Sequence, residues 1–311
     1  MLRSVILLGT LGCAFALARA PVLVPALAFA AAGARAAEVP RTETAGELLD
    51  RAFKNLYAED YIQTLVLATR IRGSNEMKRR LQLTRRQSER PGRALLRFLY
   101  PQAIRKTSVL ILENEDASDD FYVYLPALRM TRHLSSAQKG DAFFGTDLSY
   151  EDIEPKYAKD FVVRYLPASE QGDEQGESES PIPGAPPCVK IEITAAPGFE
   201  SAYDRQVSCL DAERGVIVFT DYYVRDRHLK RLSIDPTQIR QVGDRWIPFL
   251  ITVETPRASS VTRVITEDYE LRAEIPDQIF NTWNLEAGDA RSDRRKTTPV
   301  LDEAESAEPQ P

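Results

Sequence analysis

From Tyr61 to Leu271 the apolar residues of this chain recur every second position, segment after segment, and a period of two commits a chain to strands. Leu65, Leu67 and Ile71 alternate with Val66, Ala68, Arg70 and Arg72 before Gly73-Ser74-Asn75 turns the chain, and Met77, Leu81 and Leu83 alternate with Lys78, Arg80, Gln82 and Thr84 on the return. The pattern continues at residues 93–99, 106–112, 121–125 and 161–166, then at 189–195, 203–210, 216–224, 229–242, 245–255 and 261–271. Most connections are short and carry turn residues, such as Arg214-Gly215 and Gly243-Asp244, so neighbouring strands should run antiparallel. Without helices alternating between them, such strands predict one curved antiparallel sheet or open barrel with an apolar face to cover.

Three segments break the rhythm. Thr44 and Glu47 have capping-box spacing, and Leu48, Leu49, Ala52, Phe53, Leu56 and Tyr57 share one helical face, so an amphipathic helix precedes the strands. Residues 135–160 lapse into a long loop whose adjacent Phe143 and Phe144 need an apolar place to go. Residues 167–187 hold Glu170, Asp173, Glu174, Glu177 and Glu179, no basic partner and five prolines, a composition that cannot bury a core and predicts a disordered excursion. The polar residues 287–311 are expected to form a disordered tail.

The beginning of the chain sets the expected compartment. Arg3 precedes an uncharged apolar run from Val5 to Ala18, and Ala34-Arg35-Ala36 offers small residues where a signal peptidase needs them, which predicts a signal peptide over residues 1–36. A second apolar stretch from Pro21 to Gly33 leaves an uncleaved anchor as the alternative, although Arg19, Pro21 and Pro25 interrupt the span. Leu11-Gly12-Cys13 is read as a chance likeness to a lipoprotein cleavage box, because strongly apolar sequence follows it instead of a polar tether. The chain carries 40 Lys and Arg against 46 Asp and Glu, a net charge of −6; removing residues 1–36 takes away three arginines and no acid and leaves −9. An acidic export product of 275 residues follows, a length compatible with one β domain of roughly 200 to 250 residues plus ends and an insertion.

Chemistry-bearing motifs are sparse. Beyond residue 36 the chain has two histidines, His133 and His228, and two cysteines, Cys188 and Cys209. It has no HExxH, CxxC, GxSxG or P-loop pattern, so the reading is of a protein that is not an enzyme, without a cofactor or metal. Cys188 and Cys209 are equidistant from the turn at Pro197-Gly198-Phe199; if the flanking strands pair, the cysteines face one another and an oxidising compartment allows a disulfide. Two separate buried thiols are the other arrangement. Between Arg70 and Lys106 twelve basic side chains stand against Glu76 and Glu89, a surplus that is either a set of solvated strand faces or a contact for anionic lipid headgroups or an acidic partner. Nucleic acid is not an expected partner of an exported chain.

An open barrel puts one sheet face around a concavity, and an apolar concavity under a helix and a loop suits an acyl chain. On this reading Leu65, Leu67, Leu81, Leu83, Leu96, Phe98, Ile247, Phe249 and Ile251 line it, unless they merely fill a closed core.

The segments RPGRALLRFLYP (residues 90–101), DFYVYLPALRM (120–130), FFGTDLSYED (143–152), DRQVSCLD (204–211), QVGDRWIP (241–248) and IPDQIFNTWNL (275–285) resemble, in this order, the LolA/LolB superfamily of periplasmic lipoprotein carriers. They are most similar to its outer-membrane lipoprotein-sorting-like branch. The resemblance implies an incomplete antiparallel barrel of about eleven strands over residues 37–286, with a helical and loop lid. It implies a monomeric periplasmic carrier that takes acyl chains of a lipoprotein or another lipid from one envelope component to the next. An inner-membrane RND-type exporter or an outer-membrane acceptor would be its partner. A lipid-sensing accessory protein without transport is the alternative. The resemblance also implies that Arg90 holds the lid, for which the loop of Phe143 and Phe144 is the candidate. The length of the chain and its acidic insertion depart from the lipoprotein carriers themselves.

Overall fold

The computed structural model describes residues 43–57, 59–87, 91–114, 118–167, 170, 187–272 and 274–287. The expected signal peptide, Arg90, nearly all of the acidic insertion and the C-terminal tail lie outside them.

Fifteen strands account for about half of the described residues: β1 Tyr61–Ile71, β2 Met77–Arg86, β3 Arg93–Tyr100, β4 Ser108–Leu112, β5 Asp120–Leu125, β6 Met130–Leu134, β7 Phe161–Tyr165, β8 Val189–Ala195, β9 Arg205–Asp211, β10 Val216–Val224, β11 Arg227–Ile234, β12 Ile239–Val242, β13 Arg245–Pro248, β14 Leu250–Thr255 and β15 Ser260–Leu271. Thirteen of them form one antiparallel sheet in the order β6-β5-β4-β3-β2-β1-β15-β14-β11-β10-β9-β8-β7, and β12 and β13 make a separate hairpin. The fold is the expected open sheet, with thirteen strands instead of about eleven. Two long sequence segments are each divided, by a turn of 3-10 helix at Pro236–Gln238 and by a break at Phe249, and β6 was not read from the sequence because Met130–Leu134 is largely exposed.

The topology dictates what covers the sheet. Two meanders, β1 to β6 and β7 to β15, meet in the middle where β1 pairs with β15. The two free edges are therefore β6 and β7, which are consecutive in sequence. Residues 135–160, hereafter the strap, must run from one edge to the other and do so across the apolar face. Short 3-10 turns at Ser136–Gln138, Phe143–Gly145, Glu151–Ile153 and Ala158–Asp160 give the strap local structure.

Cross-strand pairs build that face. Leu65 stands opposite Leu81, Leu81 opposite Phe98, and Leu83 opposite Leu96, so the leucines of β1, β2 and β3 form continuous rows. Phe143, 1% exposed, stacks on Phe98 with ring centroids 5.9 Å apart, and Phe144 reaches the same ring at 4.6 Å. This is where the two strap phenylalanines go. Phe144 and Gly145 both have left-handed backbone (φ 48° and 71°), and the turn they make drives the two rings into the core together.

Helix α1, Ala45–Tyr57, covers the other half of the same face. The Glu47 N–H donates to Thr44 Oγ1 at 3.2 Å and the Thr44 N–H to Glu47 Oε2 at 2.8 Å, the reciprocal capping box that the spacing predicts. Its buried stripe, Leu48, Leu49, Ala52 and Phe53, packs on Phe161, Ile191, Ile193 and Leu210 of β7, β8 and β9. A second helix, α2 (Thr282–Ala287), lies against the opposite face of the sheet, where Phe280 and Leu285 meet Leu95 and Leu110. Strands β3 and β4 are thus buried on both sides, which is why their sequences are nearly continuous apolar runs.

Cys188 and Cys209 are joined by a disulfide with Cα atoms 5.4 Å apart. The register differs from the symmetric one expected: Lys190 is opposite Cys209, so the bridge closes diagonally from a residue two positions away on the same face. The loop from 196 to 204 is longer than a tight hairpin, which shifts the pairing.

Candidate functional site

A cavity of about 180 Å³, partly open to solvent, lies between the sheet, α1 and the strap. It exceeds the ~150 Å³ of an apolar protein cavity known to hold benzene. Its wall is mainly aliphatic. Leu65, Leu67, Leu81, Leu96 and Ile251, five of the nine residues expected at a ligand site, line it, as does Phe143 from the strap. Helix α1 contributes Phe53, Leu56 and Tyr57.

The other four expected residues lie outside the lining. Leu83 and Phe98 are buried in the packed core, Phe98 being held beneath the strap rings. Ile247 and Phe249 are also buried, but Pro248 faces the cavity in their place. The break between β13 and β14 changes the inward face by one residue, so alternation counted through residues 247, 249 and 251 follows the wrong side before the break. Phe249 instead receives the Arg240 guanidinium over its ring at 4.1 Å.

The strap is fastened by polar contacts. Lys230 of β11 forms a buried ion pair with Asp152 and donates to the Asp147 carbonyl at 3.0 Å. Asp152 also accepts from the Tyr203 hydroxyl (2.8 Å) and the Ser149 N–H (2.7 Å). Asp147 Oδ2 accepts from Ser260 and Thr262 of β15 at 2.9 and 2.7 Å. Within the strap Lys139 pairs with Glu154, both side chains 6% exposed. Arg90, the residue expected to hold the lid, is outside the described residues.

One end of the cavity is polar, and the sequence reading missed it. Gln206 and Tyr222 are cross-strand partners on β9 and β10, each 6% exposed, and both line the cavity. Lys156 of the strap lines the same cavity. Burial pushes the Tyr222 phenol well above its ordinary range, with Asp152, Tyr57 and Glu151 adding to the effect, and burial likewise raises Tyr57. Both phenols remain neutral donors. Burial lowers the Lys156 pKa, but Glu151, Glu154, Tyr57 and Asp152 outweigh it and the net shift is upward, so the ammonium keeps its charge. The signal was available: Gln206, Ser208, Thr220 and Tyr222 occupy inward positions of strands that otherwise put apolar residues there.

The basic stretch divides as well. Arg80 pairs with Glu267 at 2.6 Å, and Arg86 and Arg93 both reach Asp277 of the C-terminal segment at 2.6 and 2.7 Å. Arg85 is 2% exposed, sits 5.2 Å above the Tyr57 ring, and has Nε and Nη1 without a hydrogen-bond partner among the described residues. It belongs to neither of the surface roles expected for these residues.

No curated protein was similar enough to match. Three solved structures share the architecture: a DUF1329 family protein from Desulfovibrio piger (23% identity, TM-score 0.68, covering 78% of this chain and 97% of that one), an outer membrane lipoprotein-sorting protein domain from Vibrio parahaemolyticus (20%, 0.66, 76% and 97%) and a LolA superfamily protein from Nitrosomonas europaea (16%, 0.61, 78% and 99%). A family model described as "Uncharacterized protein" matches residues 91–287, more than half of the chain. The chain belongs to the family that this model defines, and it shares the fold of these three structures.

Proposed function

We propose that the protein is an exported carrier of the Gram-negative periplasm that holds an acyl chain, of a lipoprotein or another lipid, between the leucine face of its sheet and the strap. The cavity carries this reading: it is walled by Leu65, Leu67, Leu81, Leu96 and Ile251 and roofed by the strap, where a folded core of this composition would have closed on itself. Each buried methylene would contribute ~0.8 kcal/mol, so a chain of moderate length binds tightly without covalent chemistry. The strap joins two unpaired sheet edges and is fastened by side chains, so it can lift without separating any pair of strands. Release to an acceptor then needs only an opening. Transfer from an inner-membrane exporter of the RND type to an outer-membrane acceptor fits an expected signal peptide and a carrier that crosses aqueous space.

The test is lipid extraction and mass spectrometry of protein purified from the periplasm, compared with Ile251→Trp, which fills the cavity with apolar volume. The variant should fold and lose bound lipid. Equal lipid in both proteins, or none in the native one together with no uptake from vesicles, overturns the reading. Uptake from donor vesicles without delivery to acceptor vesicles would make the protein a lipid sensor.

A further inference from the structure

Four side chains with hydrogen-bond donors to spare line the cavity, two of them, Gln206 and Tyr222, directly opposite one another. The Tyr222 hydroxyl and the Gln206 amide are more than nine-tenths buried, line the cavity, and have no hydrogen-bond partner among the described residues. The half-buried Tyr57 also lines the cavity, and its hydroxyl has no hydrogen-bond partner among the described residues. Lys156 makes one hydrogen bond, to the Glu151 carbonyl at 2.8 Å, and has no ion-pair partner among the described residues, leaving two N–H bonds unused. Polar groups withdrawn from water are ordinarily paired, and the two buried ones here, Gln206 and Tyr222, open onto one cavity instead.

The nearby carboxylates already have partners, including Asp152, which itself lines the cavity. Asp152 is bound to Lys230, the Tyr203 hydroxyl and the Ser149 N–H; Glu151 accepts from the Ser201 hydroxyl and the Ala202 N–H, each at 2.6 Å; Glu154 is paired with Lys139. Arg85, 5.2 Å from the Tyr57 ring and outside the lining, adds a second positive charge. An acceptor at the end of an apolar chain would use these open donors, and a carboxylate would use them as charge-assisted hydrogen bonds.

We infer that the cavity binds a single-chain fatty acid, its free carboxylate held by Lys156, Tyr222 and Gln206 and its chain lying along the leucine face. This inference rests on the acyl-chain reading of the same cavity and narrows it to one headgroup. A carboxylate offers only acceptors, so it can satisfy an ammonium, a phenol and an amide together. An alcohol or methyl ester with the same chain offers the ammonium no ionised acceptor for a charge-assisted hydrogen bond.

The experiment is calorimetric titration of delipidated, periplasmically produced protein with dodecanoate, dodecanol and methyl dodecanoate at neutral pH. Dodecanoate should bind at least about tenfold more tightly than either neutral analogue, the effect of a hydrogen bond to a charged group. Lys156→Met should abolish that preference and Lys156→Arg should keep most of it. Tyr222→Phe guards against a folding artefact. Its hydroxyl has no protein partner, so the variant should melt at the native temperature or above while binding dodecanoate several-fold more weakly. Equal affinity for the three ligands, or a preference that survives Lys156→Met, overturns the carboxylate site and leaves the acyl cavity standing. If none of the three binds, the acyl-chain reading itself fails.

Discussion

Lys230 of β11 and Asp152 of the strap form an ion pair whose side chains are 6% and 2% exposed, and it joins the cover of the cavity to the middle of the second meander. A pair so deeply withdrawn from water is weak grounds for stability in itself, since desolvation offsets most of the attraction. Breaking it from one side is another matter.

Asp152→Ala strands the Lys230 ammonium in the interior and should lower stability by about 3–5 kcal/mol in urea denaturation. Because Asp152 also receives the Ser149 N–H and the Tyr203 hydroxyl, hydrogen exchange should rise first in the strap, ahead of β1 and β2. Uniform exchange throughout the sheet, with the strap still protected, would show that the pair does not fasten the strap.

Removing the disulfide with Cys188→Ala and Cys209→Ala should cost about 3 kcal/mol, from the entropy regained by the unfolded chain over a sequence separation of 21 residues. Both cysteines are fully buried, so the smaller side chains add a modest cavity cost to that figure. Non-reducing peptide mapping of exported protein checks the bond directly. Two free thiols would contradict it.

The sequence made the helix, most of the strands and the cysteine pair legible because each rests on local signals: the Thr44–Glu47 box, period-two alternation and an even pair of cysteines. The register was less legible, since nothing local says that Lys190 stands opposite Cys209. Alternation likewise assigns a residue to a face but not to a place along it. Leu81 and Leu83 share the inner face of β2, yet only Leu81 reaches the cavity. The polar end depends on β9, β10 and the strap meeting in space, from Gln206, Tyr222 and Lys156, which lie up to 66 positions apart in the sequence. Arg85 was hidden by its type: a charged residue in a basic run reads as solvated, and only the sheet reveals that it continues the inward row of Leu81 and Leu83.

Replacing residues 168–186 with a short glycine-serine linker should leave the fold intact. β7 and β8 are paired in register up to Tyr165 and Ile191, and the Leu166 N–H donates to the Lys190 carbonyl at 3.1 Å, so both ends of the segment are already fixed side by side. Loop length alters closure entropy only slowly, by about 0.6 kcal/mol per doubling. A shortened protein that loses its cooperative unfolding transition would mean that the acidic segment supplies structural contacts.

Stability should fall as pH rises toward neutrality because of Asp119. Its carboxyl is pushed up to about 7, first by burial and then by Glu154, with Glu113 adding to the rise while the Asn114 N–H and Lys139 oppose it. The folded state therefore holds a proton that the unfolded state releases near the ordinary value of 3.8. Between those two values the folded chain binds more protons, so raising the pH favours unfolding, and above about 7 the penalty is fully developed. Asp119→Asn keeps the shape of the protonated side chain and cannot ionise. In urea denaturation the variant should match the native protein near pH 4 and exceed it at roughly pH 8, the difference growing across the interval. A constant difference between the two proteins over that range would show that Asp119 ionises at its ordinary pKa, and that Glu154 and Glu113 do not crowd it.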